Sequence, residues 1–322
     1  MSNNLNENLY VIENKYIKVV FSLSGLTIID LIKKSNNTNF LLKYEDFNNY
    51  KENIYYLGRT IGRNAGRTRP PEYSTFDNKK VKLDTNEGET HLHGGYKGIH
   101  TKQWSILSMD AQSANLKLSD KNSIYENADL YAELKLINNE FHLSYKGESK
   151  DPTIFNITNH MYFNLSGEKT ISNHYLTVNS SKVQLVDSEF VPLNKYGDLL
   201  KEEFDFLNFS EKKKINKSFD NKHDISKLCN SGIDLAYMID SVDKDAPAIR
   251  LEESSNGNIL EIITNQESVV YTLNKISNDY FDYNIVKFAG ITFEAQRKPN
   301  FINIDNEYLK REYENKIVYR II

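Results

Sequence analysis

The sequence predicts an all-β protein, one large antiparallel domain over residues 1–322 built as a sandwich of big curved sheets. Three observations carry that expectation. Short segments rich in β-branched and aromatic residues recur along the chain and often alternate apolar with polar positions. Long helical periodicity is nearly absent. Asparagine-rich pairs separate neighbouring segments where a tight turn needs a positive φ. In chain order the expected strands are 16–23, 104–109, 114–119, 130–137, 140–147, 153–165, 175–180, 182–187, 246–253, 259–266, 268–274, 287–296 and 316–322. Asn138-Asn139 joins 130–137 to 140–147 as a hairpin, and Asn256-Gly257 does the same for 246–253 and 259–266. With 14 Gly, 6 Pro, no repeat and no low-complexity tract, nothing marks a domain boundary.

The composition narrows the function classes. Forty basic against 44 acidic residues give a net charge of −4, which excludes a nucleic-acid binder driven by phosphate neutralisation. Sixteen Phe and 21 Tyr supply ample core material. No run approaches the roughly 18 apolar residues that span a bilayer, and the opening residues lack the basic and apolar regions of a secretory signal. A cytoplasmic protein without a membrane partner is expected. Cys229, the single cysteine, allows no internal disulfide and reads as inert filler between Leu228 and Asn230. The stretch 202–229 reads as polar and irregular, and its lysine run as a solvated surface loop.

Histidine is scarce, seven in all, so its placement is informative. His91 and His93 share the run THLHGG, and on a strand that spacing would put both imidazoles on one face, as in cupin-type metal sites. Such a site wants a carboxylate soon after the pair, and none follows before Asp110; His91 reads instead as a turn cap. His160 lies among Asn156, Asn159 and Asn164 in an otherwise aromatic strand. Burying several amides without partners is costly, so this segment reads as a polar cleft floor. Glu294 and Gln296 share one face of the segment AGITFEAQR. In GRTIGRNAGRTR, Gly58, Gly62 and Gly66 are each followed by an arginine, a pattern that could hold phosphate or carbohydrate oxygens. It lacks the Lys-Ser or Lys-Thr pair of a phosphate loop.

Taken in order, GRTIGRNAGR, THLHGGYKGIHTKQW, NITNHMYFNLSG, GIDLAYMID and FEAQRKPNFIN resemble the aldose 1-epimerase (galactose mutarotase) family, collinearly from about Val19 to Ile322. The resemblance implies a β-supersandwich with an open sugar cleft, no metal and no organic cofactor. It places the family's glutamate base on Glu294, its histidine acid on His160 and a second active-site histidine on His93. It implies sugar contacts at Arg67, Asp234 and Gln266, and Asn159, beside the acid, is read with them as substrate-binding. The implied chemistry removes a proton from the C1 hydroxyl and delivers one to the ring oxygen, with base and acid on opposite sides of one sugar ring. A carboxylate and an imidazolium are suited to those transfers near neutral pH.

This chain departs from the family pattern at Gly66, where Asn is frequent, at Leu235, where His is usual, and at Glu267 and Ser268, where Pro-Gly often follows the glutamine. These departures bear on which sugar is bound more than on the reaction. A hexose-6-phosphate epimerase using Arg59, Arg63, Arg67 and Arg69, and a non-catalytic sugar-binding module, are the alternatives. The sequence admits a monomer or a homodimer.

Overall fold

The computed structural model describes residues 9–219, 222–241, 246–273 and 285–322. Among them, nine strands form the largest sheet, in the order Ser105–Met109, Ser113–Asp120, Ala128–Ile137, Glu140–Thr153, Lys310–Ile321, Ile259–Thr264, Ile249–Glu253, His174–Val178 and Lys213–Lys214. A six-stranded sheet runs Tyr162–Phe163, Ile291–Gln296, Ser268–Leu273, Ile233–Met238, Lys182–Val186 and Pro192–Asp198. Leu9–Glu13, Ile17–Ser22, Thr27–Lys33 and Thr38–Asn39 make a four-stranded sheet. The pairings within the two larger sheets are antiparallel throughout.

Alternation explains which way these sheets face. Ala128–Ile137 buries every second residue, so its apolar half points inward and its charged half outward. One hydrophobic cluster takes Phe21 and Leu31 from the four-stranded sheet, Leu116, Leu130, Leu143 and Tyr319 from the nine-stranded sheet, and Val183, Tyr237 and Phe293 from the six-stranded sheet. The sheets therefore enclose a common apolar interior.

The Asn138-Asn139 hairpin forms as expected, with Ile137 opposite Glu140 and Asn138 at φ +52°. Ile249–Glu253 and Ile259–Thr264 also pair directly, with Gly257 at φ +71° in their connection. The expected strand 268–274 is seen to Leu273; Asn274 lies outside the described residues.

Two expectations need correction. The stretch 153–165 is not one strand. Glu140–Thr153 ends there, Thr158–Asn159 pairs with Thr60–Ile61, and Tyr162–Phe163 joins the six-stranded sheet, because the segment crosses from one layer to another. The stretch 202–229 is less irregular than expected: its described residues form two short 3₁₀ turns, a short strand and the helix Asp224–Leu228. Phe206, Leu207, Phe209 and Ile215 are buried there, at spacings that match neither the strand nor the helix period. Its lysines do face outward, with Lys212 paired to Glu252 and Lys213 to Asp205.

Candidate active site

The six-stranded sheet builds one wall of a cleft. Glu294 pairs with Val270, which pairs with Ala236, and residues opposite one another in adjacent strands project to the same face. Asp234 is two residues from Ala236 and so shares that face, and Gln184 follows at the next rung of the neighbouring strand. All five line the cleft. Glu294 lies inside the sheet rather than on an edge, because the strands of Tyr162 and Val270 flank its own.

His160 sits at the joint where the chain crosses between sheets. Its N–H donates to the Arg59 carbonyl at 2.9 Å, and its carbonyl accepts from Gly58 N–H at 3.0 Å. Both ends of the residue are therefore fixed. His160 Nε2 stands 3.3 Å from Glu294 Oε1, with the two residues 4% and 2% exposed, so their contact is screened from bulk water. The expected acid and base are thus direct neighbours. The geometry still suits the chemistry, because the ring oxygen and the hydroxyl oxygen of an anomeric centre are bonded to the same carbon.

His93 enters from a separate short strand pair, in which Arg67 is opposite Leu92 and Thr68 opposite His91. The chain turns at His93, φ +53°, and runs into Gly94 and Gly95, also at positive φ. That turn separates the two histidines of the run. The His91 ring points inward, with Nδ1 near the Asp84 carbonyl at 2.8 Å and Nε2 near the Tyr125 hydroxyl at 2.7 Å. The His91–His93 metal pair is therefore not formed: His91 is a buried structural residue, and His93 alone lines the cleft. Ring nitrogens of His93 and His160 and a Glu294 oxygen do gather within 4.8 Å.

Tyr56, at φ +55°, is the residue around which the histidines assemble. Its ring centroid lies 5.1 Å from His93, 5.1 Å from His100 and 5.8 Å from His160. Burial, with help from Arg59, lowers the pKa of His100 to about 4, so this third histidine stays neutral behind the site.

Arg67 closes the other end of the cleft. It donates to Glu87 twice, at 2.6 and 3.0 Å, and to Asp234 Oδ2 at 3.4 Å. Burial opposes its charge, but Asp234, Glu87 and Glu294 outweigh that and hold the pKa above the ordinary value. Its guanidinium lies 4.6 Å from the ring centroid of Phe190, another cleft residue, which stands at φ +65°. The other arginines of the run go elsewhere. Arg59 donates to the Tyr50 carbonyl, Arg63 forms a fully buried ion pair with Asp120 at 2.9 Å, and Arg69 meets Glu89 and Glu189.

The structure thus brings Glu294, His160, His93, Arg67 and Asp234 into one cleft, and leaves two predicted residues outside it. Asn159 points the opposite way from His160 and donates to the Gly58 carbonyl at 2.9 Å, supporting the backbone that holds the histidine. Gln266 lies in the connection between two sheets, where its amide donates to Asn265 and to the Glu314 carbonyl; the cleft position on the strand that follows is Val270. Cys229 is buried, and that burial, with Asp234 nearby, pushes its thiol up to about 12, which suits an inert side chain. Sequence reasoning missed Gln184, Glu87, Phe190 and Tyr56. Only Gln184 carried a signal, as a polar residue centred in an apolar strand.

Known proteins resemble this chain along most of its length. The family model described as aldose 1-epimerase matches residues 8–310. The aldose 1-epimerase of Streptococcus thermophilus is 29% identical over 283 residues, covering 82% of this chain and 77% of its own. The galactose mutarotase of Homo sapiens is 23% identical over 305 residues, covering 91% and 86%. Among solved structures, the galactose 1-epimerase of Lactobacillus acidophilus superposes with a TM-score of 0.85 at 27% identity, covering 98% of this chain and 94% of that one. An aldose epimerase homologue from C. elegans gives a TM-score of 0.87 at 19% identity, covering 98% of each chain.

Proposed function

The chain belongs to the aldose 1-epimerase family, and from that premise we propose that it interconverts the α- and β-anomers of a free aldohexose such as galactose or glucose. The observation that carries the proposal is the buried contact between His160 and Glu294 on the wall of a cleft whose far end offers Arg67 and Asp234.

Glu294 takes the proton from the C1 hydroxyl while His160 gives one to the ring oxygen. The C1–O5 bond breaks as the C1 carbonyl forms, leaving the open-chain aldehyde. Rotation about C1–C2 presents the other carbonyl face, and the proton transfers run in reverse as the ring recloses. Each positioned transfer contributes on the order of 10² to 10⁴ in rate. Asp234 accepts and Arg67 donates hydrogen bonds to the remaining hydroxyls, while Phe190 and Val270 offer apolar surface to the C–H faces of the sugar.

A free rather than a phosphorylated sugar is supported by the disposition of the arginines. Arg59, Arg63 and Arg69 are committed to carbonyls or carboxylates, and the cleft itself carries Asp234 and Glu294, which would repel a phosphate dianion.

Polarimetry of freshly dissolved α-D-galactose and α-D-glucose tests the proposal. The purified chain is expected to accelerate the approach to equilibrium, EDTA to leave the rate unchanged, and Glu294→Gln to lower it by at least about a hundredfold. A near-normal rate in Glu294→Gln would remove Glu294 from the mechanism, and loss of activity in EDTA would replace acid–base catalysis with a metal-assisted route.

A further inference from the structure

The environment of His93 determines more than its position. Arg67 opposite Leu92 and Thr68 opposite His91 put Gly66 and His93 at the next rung of the same short pair. In a regular ladder those two residues would exchange two backbone hydrogen bonds. One is present: His93 N–H donates to the Gly66 carbonyl at 3.4 Å. The other is replaced. The left-handed turn at His93 swings its carbonyl away toward the His100 ring, and Gly66 N–H donates instead to His93 Nδ1, at 3.2 Å.

A backbone N–H can only donate, so the nitrogen it addresses must present a lone pair. A neutral imidazole has one N–H and one lone pair; a protonated one has no lone pair on either nitrogen. With Nδ1 accepting, the hydrogen of His93 resides on Nε2. The groups around the ring include Tyr56 at its edge, His160 at 5.3 Å between centroids, Glu294 within the same cluster, and Arg67 and Asp234 along the cleft.

We propose that Gly66 N–H locks His93 as a permanently neutral, Nε2-protonated hydrogen-bond donor to the sugar oxygens at the anomeric centre, and that His93 neither transfers a proton nor ligates a metal. The inference rests on the aldose epimerase reading for the identity of the acceptor, but the tautomer follows from the protein alone. As the C1–O5 bond breaks, negative charge grows on the ring oxygen before its proton arrives, and a fixed donor stabilises that charge without being consumed. The same lock makes the cluster of His93, His160 and Glu294 a poor metal site, since binding an ion at Nε2 would force a hydrogen onto Nδ1 against the Gly66 N–H. Only a backbone amide is required, which is why glycine suffices at residue 66.

Two-bond ¹H–¹⁵N correlation spectra of the histidine rings, assigned with a His93→Gln control, test the lock on the full chain without substrate. His93 is expected to show the neutral Nε2–H pattern from about pH 5.5 to 8.5 and no shift on adding Zn²⁺. A cationic or Nδ1–H pattern within that range, or zinc coordination by His93, would overturn the proposal. These outcomes do not depend on whether the chain turns over galactose or glucose, so they are separable from failure of the proposed activity. If it does turn them over, His93→Gln, which keeps a donor near the Nε2 position, should lower kcat about tenfold with both limbs of the pH profile in place. His93→Leu, lacking a donor, should lower it about a thousandfold. Equal losses in the two variants, or a vanished limb in His93→Gln, would make His93 a proton-transfer group instead.

Discussion

Tyr56 illustrates what a single residue contributes here without chemistry of its own. Its ring lies edge-on to His93 and His100 and tilted against His160, and its hydroxyl bonds to Asn86, so it sets the spacing between His160 and His93. Tyr56→Ala is expected to reduce kcat at least tenfold with little change in KM, while Tyr56→Phe keeps most of the rate, because a misplaced acid loses reactivity more than binding. Polarimetric progress curves at several sugar concentrations separate the two constants, and equal losses in both variants would move the effect to the hydroxyl. Nothing in the sequence singled Tyr56 out among 21 tyrosines, since its role depends on a positive φ that no local pattern announces. His160, Glu294, Arg67 and Asp234 were legible because each sits in a distinctive run, and His93 because histidine is rare. Gln266 was read as a sugar contact from its run, and in the structure its amide donates to the Glu314 carbonyl of the neighbouring strand Lys310–Ile321.

Among the elements, the strands with clean alternation or high β-branched content were readable, and the hairpins with them. The crossing segment was not, because whether 153–165 continues as one strand depends on partners distant in sequence: Thr60–Ile61 for one end and Ile291–Gln296 for the other. Lys310–Ile321 was foreseen only in its second half, as its charged first half pairs along Glu140–Thr153 without an apolar signature. Gly58 secures the crossing. It stands at φ +68°, and an added Cβ would fall 1.9 Å from the Ile28 carbonyl oxygen, a contact that backbone cannot relieve. Gly58→Ala should therefore destabilise the fold by about 2 kcal/mol or more in urea denaturation. A change below about 0.5 kcal/mol would mean that the loop relaxes freely and does not anchor His160.

For the molecule as a whole, acid stability follows from two buried imidazoles. Burial lowers both His100 and His174 from the ordinary 6.5 to about 4, with Arg59 adding to the effect at His100. His174 accepts from Leu165 N–H at 2.9 Å and is fully buried. Both fold neutral but bind protons once unfolded. Their stabilisation is thus complete above about pH 6.5 and is lost as the pH falls through about 4. Each accounts for about 2 kcal/mol of lost stability between pH 7 and pH 5. Urea midpoints at the two pH values should fall farther for the wild type than for His174→Gln; equal falls would show that other groups set the acid limit.

The strand Lys310–Ile321 follows every other described strand in the sequence, yet it lies in the middle of the nine-stranded sheet, between Glu140–Thr153 and Ile259–Thr264. Until those residues leave the ribosome, Glu140–Thr153 and Ile259–Thr264 each wait with one edge unpaired. The nascent chain is therefore exposed to aggregation until this stretch has emerged, and slow translation over it would cost soluble yield far more than the same fault in Leu9–Glu13, an edge strand of the four-stranded sheet.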